Sequence, residues 1–161
     1  MPNWCEGVLR IKGKWENLIR FLKEGLESPS VHFLNETIIN DTLIRIDEYE
    51  DGSGVEVEIK NDAHIKGTRR GFICSCWDDF CKRTKCDYDV MCFNSKFAWT
   101  IQAEQLAEIS KQFEIDFRIH AYEKGMEFCR YIEIIGGKIT KDEVLTFDDY
   151  EWDCNDPLKG G

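Results

Sequence analysis

Between positions 115 and 135 the chain alternates. Ile115, Phe117, Ile119 and Ala121 take every second place, and Asp116, Arg118, His120 and Tyr122 fill the gaps. A period of two puts one set on each face of a β-strand, so the apolar set must be covered by other elements. Lys124-Gly125 interrupts the run as a turn, Phe128 to Ile135 resumes it, and Gly136-Gly137 closes it. Two successive strands are predicted here.

The remaining segments are arranged around such strands. Residues 5–12 read as a strand, with Gly7, Leu9 and Ile11 alternating with Val8, Arg10 and Lys12, and Gly13 ends it. Residues 14–26 read as a helix, because Trp15, Leu18, Ile19, Leu22 and Leu26 recur on one face. Ser28-Pro29-Ser30 breaks it. Leu43 to Ile46 and Val55 to Ile59 form a hairpin about Asp51-Gly52-Ser53-Gly54. Residues 68–82 read as a second helix, with Thr68 as N-cap and Phe72, Ile73, Cys76, Trp77 and Phe80 on one face. Residues 86–99 read as a strand kinked at Asn94-Ser95. Residues 102–113 read as a third helix, with Ala103, Leu106, Ile109 and Phe113 inward. This order predicts an α+β fold, an antiparallel sheet with helices packed on one face. A length of 161 residues suits one domain with its own core.

Charge narrows the functions. There are 21 basic and 31 acidic residues, a net charge of −10. Such a chain repels phosphate backbones and anionic lipids at long range and attracts basic partners. Met1-Pro2-Asn3-Trp4 lacks the basic-then-apolar order of a signal peptide, and no run reaches the ~20 apolar residues of a membrane span. A cytosolic location follows as the expectation. There the eight cysteines read as free thiols. Cys74, Cys76, Cys81, Cys86 and Cys92 cluster in sequence, but no interval is C-x-x-C, so a zinc site is the minor reading. His32, His64 and His120 stand at no metal-pair spacing, and Gly136-Gly137 precedes no P-loop. Asp78-Asp79 and Asp87/Asp89 match no cation loop. Neither a catalytic residue nor a cofactor is assigned.

Two acidic tracts stand out. One is Asp47, Glu48, Tyr49, Glu50 and Asp51 at the hairpin tip. The other runs from Asp142-Glu143 to Asp148, Asp149, Tyr150, Glu151, Trp152, Asp153 and Asp156, with no Lys or Arg between. Carboxylates along a rigid edge can mimic phosphates, and Tyr and Trp are favoured interface anchors. The same tracts also read as solvated faces with core aromatics. Against them stands a basic group, Lys66, Arg69, Arg70, Lys82, Arg83 and Lys85, which suits nucleic acid.

Met1-Pro2-Asn3-Trp4-Cys5 followed by Leu9-Arg10-Ile11-Lys12-Gly13 resembles the opening of the YubB-type ferredoxin-like family of plasmid and phage proteins. Phe97-Ala98-Trp99-Thr100, Tyr122 to Phe128, and Gly136-Gly137 resemble it further. Ile65 to Arg70 is similar to phage members from Gram-positive hosts. The resemblance implies a ferredoxin-like fold; the chain reads as one such domain over 1–161, with a hairpin and helix inserted at about 40–92 and, outside the matched segments, which also leave out 28–42, an acidic tail at about 140–161. It also implies a mobile-element protein in the cytoplasm of a bacterial host. By analogy with phage proteins of this size and acidity, the expected partner is a host RNA-guided CRISPR nuclease, a type II effector, inhibited by binding and without catalysis. The two acidic tracts would be the contact. The alternative is an accessory protein that binds nucleic acid through the basic group at 66–85.

Overall fold

The computed structural model describes residues 3–33, 36–39, 43–76 and 81–161. Met1 and Pro2 of the opening motif, Trp77 and Phe80 of the expected helix face, and Asp78-Asp79 lie outside them. In chain order the strands are β1 (Trp4–Lys14), β2 (Leu26–Glu27), β3 (Ser30–Phe33), β4 (Glu36–Ile39), β5 (Leu43–Glu48), β6 (Gly54–Lys60), β7 (Ala63–Ile65), β8 (Gly71–Cys76), β9 (Cys81–Thr84), β10 (Tyr88–Ala98), β11 (Ile115–Glu123), β12 (Phe128–Ile135) and β13 (Lys138–Thr146). The helices are α1 (Trp15–Glu24), α2 (Ala103–Phe113) and the one-turn α3 (Tyr150–Asp153).

Eight strands form one sheet in the order β13-β12-β11-β1-β10-β8-β7-β2, and each neighbouring pair is antiparallel. The alternation read from the sequence decides which face is covered. Leu9, Ile11, Phe93, Phe117, Ile119, Ile132 and Ile134 point to one side and are fully buried. On that side α1 buries Trp15, Leu18, Ile19, Phe21 and Leu22, and α2 buries Leu106, Ile109 and Phe113. Phe21 meets Phe113 and Phe117 edge-on at 5.5 and 5.9 Å. Burying a side chain such as Phe21 contributes about 3 kcal/mol. A second sheet, β5-β6-β9, adds Val55, Val57 and Ile59 to the same core. The other face of the large sheet carries the polar half of each alternation, and neither α1 nor α2 covers it.

This architecture overturns the expected ferredoxin-like α+β fold. Eleven of the described strands divide between the eight- and three-stranded sheets, against three helices of 10, 11 and 4 residues. The inserted hairpin forms as β5 and β6, but the inserted helix at 68–82 does not. In its place lie β8 and β9. Gly71 to Cys76 is a short apolar run that fits either period, and the long-range ladders to β7 and β10 decide it. Thr68 caps a turn between β7 and β8, not a helix. Its Oγ1 donates to the Ile65 carbonyl at 2.7 Å and accepts from the Gly71 amide at 3.0 Å. The acidic tail begins as the edge strand β13, paired with β12 across the Gly136-Gly137 turn, where both φ angles are positive, +57° and +75°. The short strands β2, β3, β4 and β7 were not read from the sequence, and α1 ends at Glu24, two residues short of its reading, with Leu26 in β2. α2 starts one residue after the predicted helix, and the β10–β8 register shifts at Asn94/Ser95.

Candidate functional site

β1 and β11 pair so that Arg10 lies directly opposite Arg118 on the uncovered face. Like charges across a strand pair are unfavourable, so this placement stands in need of an anion. Glu133 on β12 supplies part of it, accepting from Arg118 Nε at 3.0 Å. Arg10 has no ion-pair partner among the described residues, and neither does Lys12 two positions along β1. The next step of the ladder sets Val8 against His120 and His120 against Tyr131. The His120 ring lies 4.9 Å from that of Tyr122 and 5.8 Å from that of Tyr131. Lys141 on β13 places its Nζ 4.4 Å from the centre of the Tyr131 ring.

The end of the chain walls this surface. Asp149 Oδ1 accepts the Trp152 amide at 3.1 Å and so starts α3. Tyr150 then drops into a small apolar cluster with Tyr122, Cys129, Cys154 and Phe147. Its hydroxyl donates to the Lys159 carbonyl at 2.8 Å. Gly161 pairs with Trp4 through two backbone hydrogen bonds of 2.8 and 3.1 Å. Asp156 and Lys159 are thereby fixed at the rim of a cavity of about 250 Å³ floored by Arg10, Arg118, His120 and Tyr131. A neighbouring cavity of about 290 Å³ shares Arg10 and Arg118 and adds Lys12. The two make one trough across β1, β11 and β12. Burial, then Arg10, then Lys159 push the His120 pKa below its ordinary value. The thiols are of the opposite kind. Burial pushes Cys5 and Cys74 up to about 12, so neither is a thiolate near neutral pH.

The predicted acidic tracts fare differently. At the hairpin tip, Asp47 pairs with Arg45 at 2.6 Å and Glu48 with Lys23 at 2.5 Å. The Ser53 amide donates to Asp51 at 2.9 Å, and bonding to Ser53 holds the Asp51 carboxyl below its usual range. Tyr49 is half-buried, its backbone bonded within the turn, and Glu50 is exposed. In the second tract Arg130 grips Asp142 with two bonds of 2.8 and 2.7 Å, and Lys124 stands 3.4 Å from Glu151. Tyr150 is 2% exposed, so it anchors the tail and not a partner, whereas Trp152 is 86% exposed. Asp148 and Asp153 are exposed beside it. No hydrogen bond or ion pair among the described residues joins the two tracts.

The basic group is also dispersed. Lys66 donates to the Glu24 carbonyl at 2.8 Å, and Arg83 to the Val90 carbonyl at 3.2 Å. Arg69 and Arg70 sit in the β7–β8 turn, while Lys85 follows β9 on the other sheet. The side chains of Cys76, Cys81 and Lys82 lie outside the described residues, and no three described His, Cys, Asp or Glu side chains are placed to hold a metal ion.

The sequence reading did not single out Arg10, Arg118, His120, Tyr131 or Lys159 as a site. Its signal was the alternation itself, which put Arg10, Lys12, Arg118 and His120 on the polar faces of two strands. No protein-family model matches the chain, and no curated protein or solved structure matches it. Among the described residues no helix is long and apolar enough to cross a membrane.

Proposed function

We propose that this chain is a non-enzymatic accessory protein of a mobile element that holds a short single-stranded nucleic acid in the trough of its uncovered sheet face. The observation that carries the reading is the Arg10–Arg118 juxtaposition beside the His120 and Tyr131 rings. Single strands are held by cations that follow the phosphates and by rings on which bases stack. The net charge of −10 argues against wrapping a duplex, whose charge density would be repelled. Carboxylates also stand at the trough, Glu133 paired with Arg118 and Asp156 with Lys159, so the site suits only a few nucleotides. Arg10 and Lys12 give up to two phosphate contacts, since Lys159 is paired with Asp156 at 3.4 Å. At about 0.7 per phosphate for single strands, the slope of log K against log salt is about −1.4. Fluorescence anisotropy with a labelled octanucleotide, from about 50 to about 200 mM salt, tests it. Arg10→Ala lowers the slope by about 0.7. Absence of binding at low salt, or an unchanged slope in Arg10→Ala, sinks the proposal.

A second reading keeps the acidic surface. α3 presents Trp152, 86% exposed, among Asp148, Glu151 and Asp153. An exposed indole ringed by carboxylates suits a basic protein channel, as in an inhibitor of a host RNA-guided CRISPR nuclease. The resemblance to phage proteins supports the same reading. A cleavage titration against type II effectors decides it, with Asp148, Glu151 and Asp153 reversed to Lys. Undiminished inhibition by that variant removes this surface as the contact.

A further inference from the structure

A third cavity, of about 330 Å³, opens at the corner where the β7–β8 turn, the end of β10 and the start of α2 meet. That size is at the lower end of small-ligand sites. In a chain with a net charge of −10, its lining holds Arg69 and Arg70 and no carboxylate. Neither guanidinium has an ion-pair partner among the described residues. Arg70 is nevertheless held in place: its guanidinium carbon lies 5.4 Å from the centre of the Trp4 ring, which Lys96 also approaches at 5.1 Å. The Ala98 amide donates to the Arg70 carbonyl at 3.1 Å, tying the turn to β10.

The other lining groups suit a flat heterocycle. Trp99 is 59% exposed and held at a φ of +68°, a conformation bulky residues rarely adopt. The Arg69 amide donates to Gln105 Oε1 at 2.8 Å, which leaves the Gln105 amino group to donate elsewhere. Gln102 adds a second carboxamide at the rim. Carboxamides offer a donor and an acceptor side by side, the pattern of a base edge. The cavity thus combines two cations for a phosphate, a ring for stacking and two carboxamides for a base.

We infer that this corner cavity binds a phosphate-bearing nucleotide, the terminal one of the strand whose body lies in the trough; in that respect it rests on the proposed function. Trp4 and Arg10 stand six residues apart on β1, about 20 Å at ~3.3 Å per residue. That separation corresponds to about six stacked nucleotides at ~3.4 Å each.

The test uses the full chain with an octanucleotide carrying a 5′-phosphate, a 3′-phosphate or neither, and with adenosine 5′-monophosphate and adenosine as free probes. One terminal phosphate tightens binding to the wild type by about tenfold, the scale of a charge-assisted pair. Arg69→Ala/Arg70→Ala abolishes that increment and leaves binding of the unphosphorylated strand intact, whereas Trp99→Asn weakens the strands with and without the phosphate alike by removing the stacking ring. Asn tolerates the left-handed backbone, so the second variant keeps the fold. If strands bind equally with and without a terminal phosphate, the cavity inference is overturned and the trough reading stands. If no strand binds but the monophosphate, unlike adenosine, quenches Trp99, the cavity is a free-nucleotide site and the trough reading falls. If neither binds, both fall.

Discussion

Tyr150→Ala should release the end of the chain while leaving the main sheet folded. Tyr150 is 2% exposed, and its partners Tyr122, Cys129 and Cys154 form a cluster separate from the main core. Its ring meets that of Phe147 edge-on at 5.5 Å and that of Tyr122 at 6.5 Å. Truncating a buried aromatic of this kind costs about 3–5 kcal/mol. Tyr150→Phe removes only the 2.8 Å hydrogen bond to the Lys159 carbonyl, about 1 kcal/mol. Because the cluster is peripheral, the loss falls on a local opening of residues 147–161 and not on global unfolding. The assay is thiol labelling of Cys154 and Cys129, read by mass spectrometry, beside amide exchange at Gly161 and Trp4. At one decade per ~1.4 kcal/mol, Tyr150→Ala raises the labelling rate by about 10²- to 4 × 10³-fold, and Tyr150→Phe by about fivefold. Labelling of Cys154 in Tyr150→Ala as slow as in the wild type would refute the argument. So would a single melting transition lowered by the full amount with labelling unchanged, because the tail would then be part of the main cooperative unit.

Three further outcomes are expected. Gly7→Ala places a Cβ 2.0 Å from the His120 carbonyl oxygen and 2.5 Å from the Ala121 Cα, so β1 and β11 must separate. The cost is about 3 kcal/mol, or roughly 6–12 °C in Tm, and a melting curve within 2 °C of the wild type, roughly the smallest shift of interest, would show that the ladder yields without cost. His120 is held below its ordinary pKa by burial, Arg10 and Lys159, with Arg118, Asp156, Tyr122 and Tyr131 also facing it. Its neutral form is favoured by folding, so its contribution to stability is complete above about 6.5 and is lost as pH falls through its folded pKa. His120→Gln removes that part of the acid sensitivity, and an NMR titration of the ring that shows no depression refutes it. Trp99→Asn relieves the left-handed strain at an exposed site and raises stability by about 1 kcal/mol in urea melts, a gain that an unchanged midpoint would deny.

How much of this was legible beforehand depends on the range of the forces involved. The strands at 115–123 and 128–135, the hairpin around Asp51-Gly52, the helix at 103–113 and the kink at Asn94 follow from local periodicity and turn chemistry, which a sequence carries openly. The same periodicity put Arg10, Lys12, Arg118 and His120 on outward faces. Three things needed the tertiary structure. Residues 71–76 fit a helix face as well as a strand, and only the β7 and β10 ladders, which satisfy the backbone on both sides, chose the strand. Lys138–Thr146 carries enough charge to read as a solvated tail, yet its backbone completes the sheet edge beyond β12. Register was the last of them. Arg10 meets Arg118, and Tyr150 closes over Tyr122 and Cys129, through contacts between residues far apart in the chain. Such pairings are set by the whole core at once, because a one-residue slip would turn every side chain to the other face.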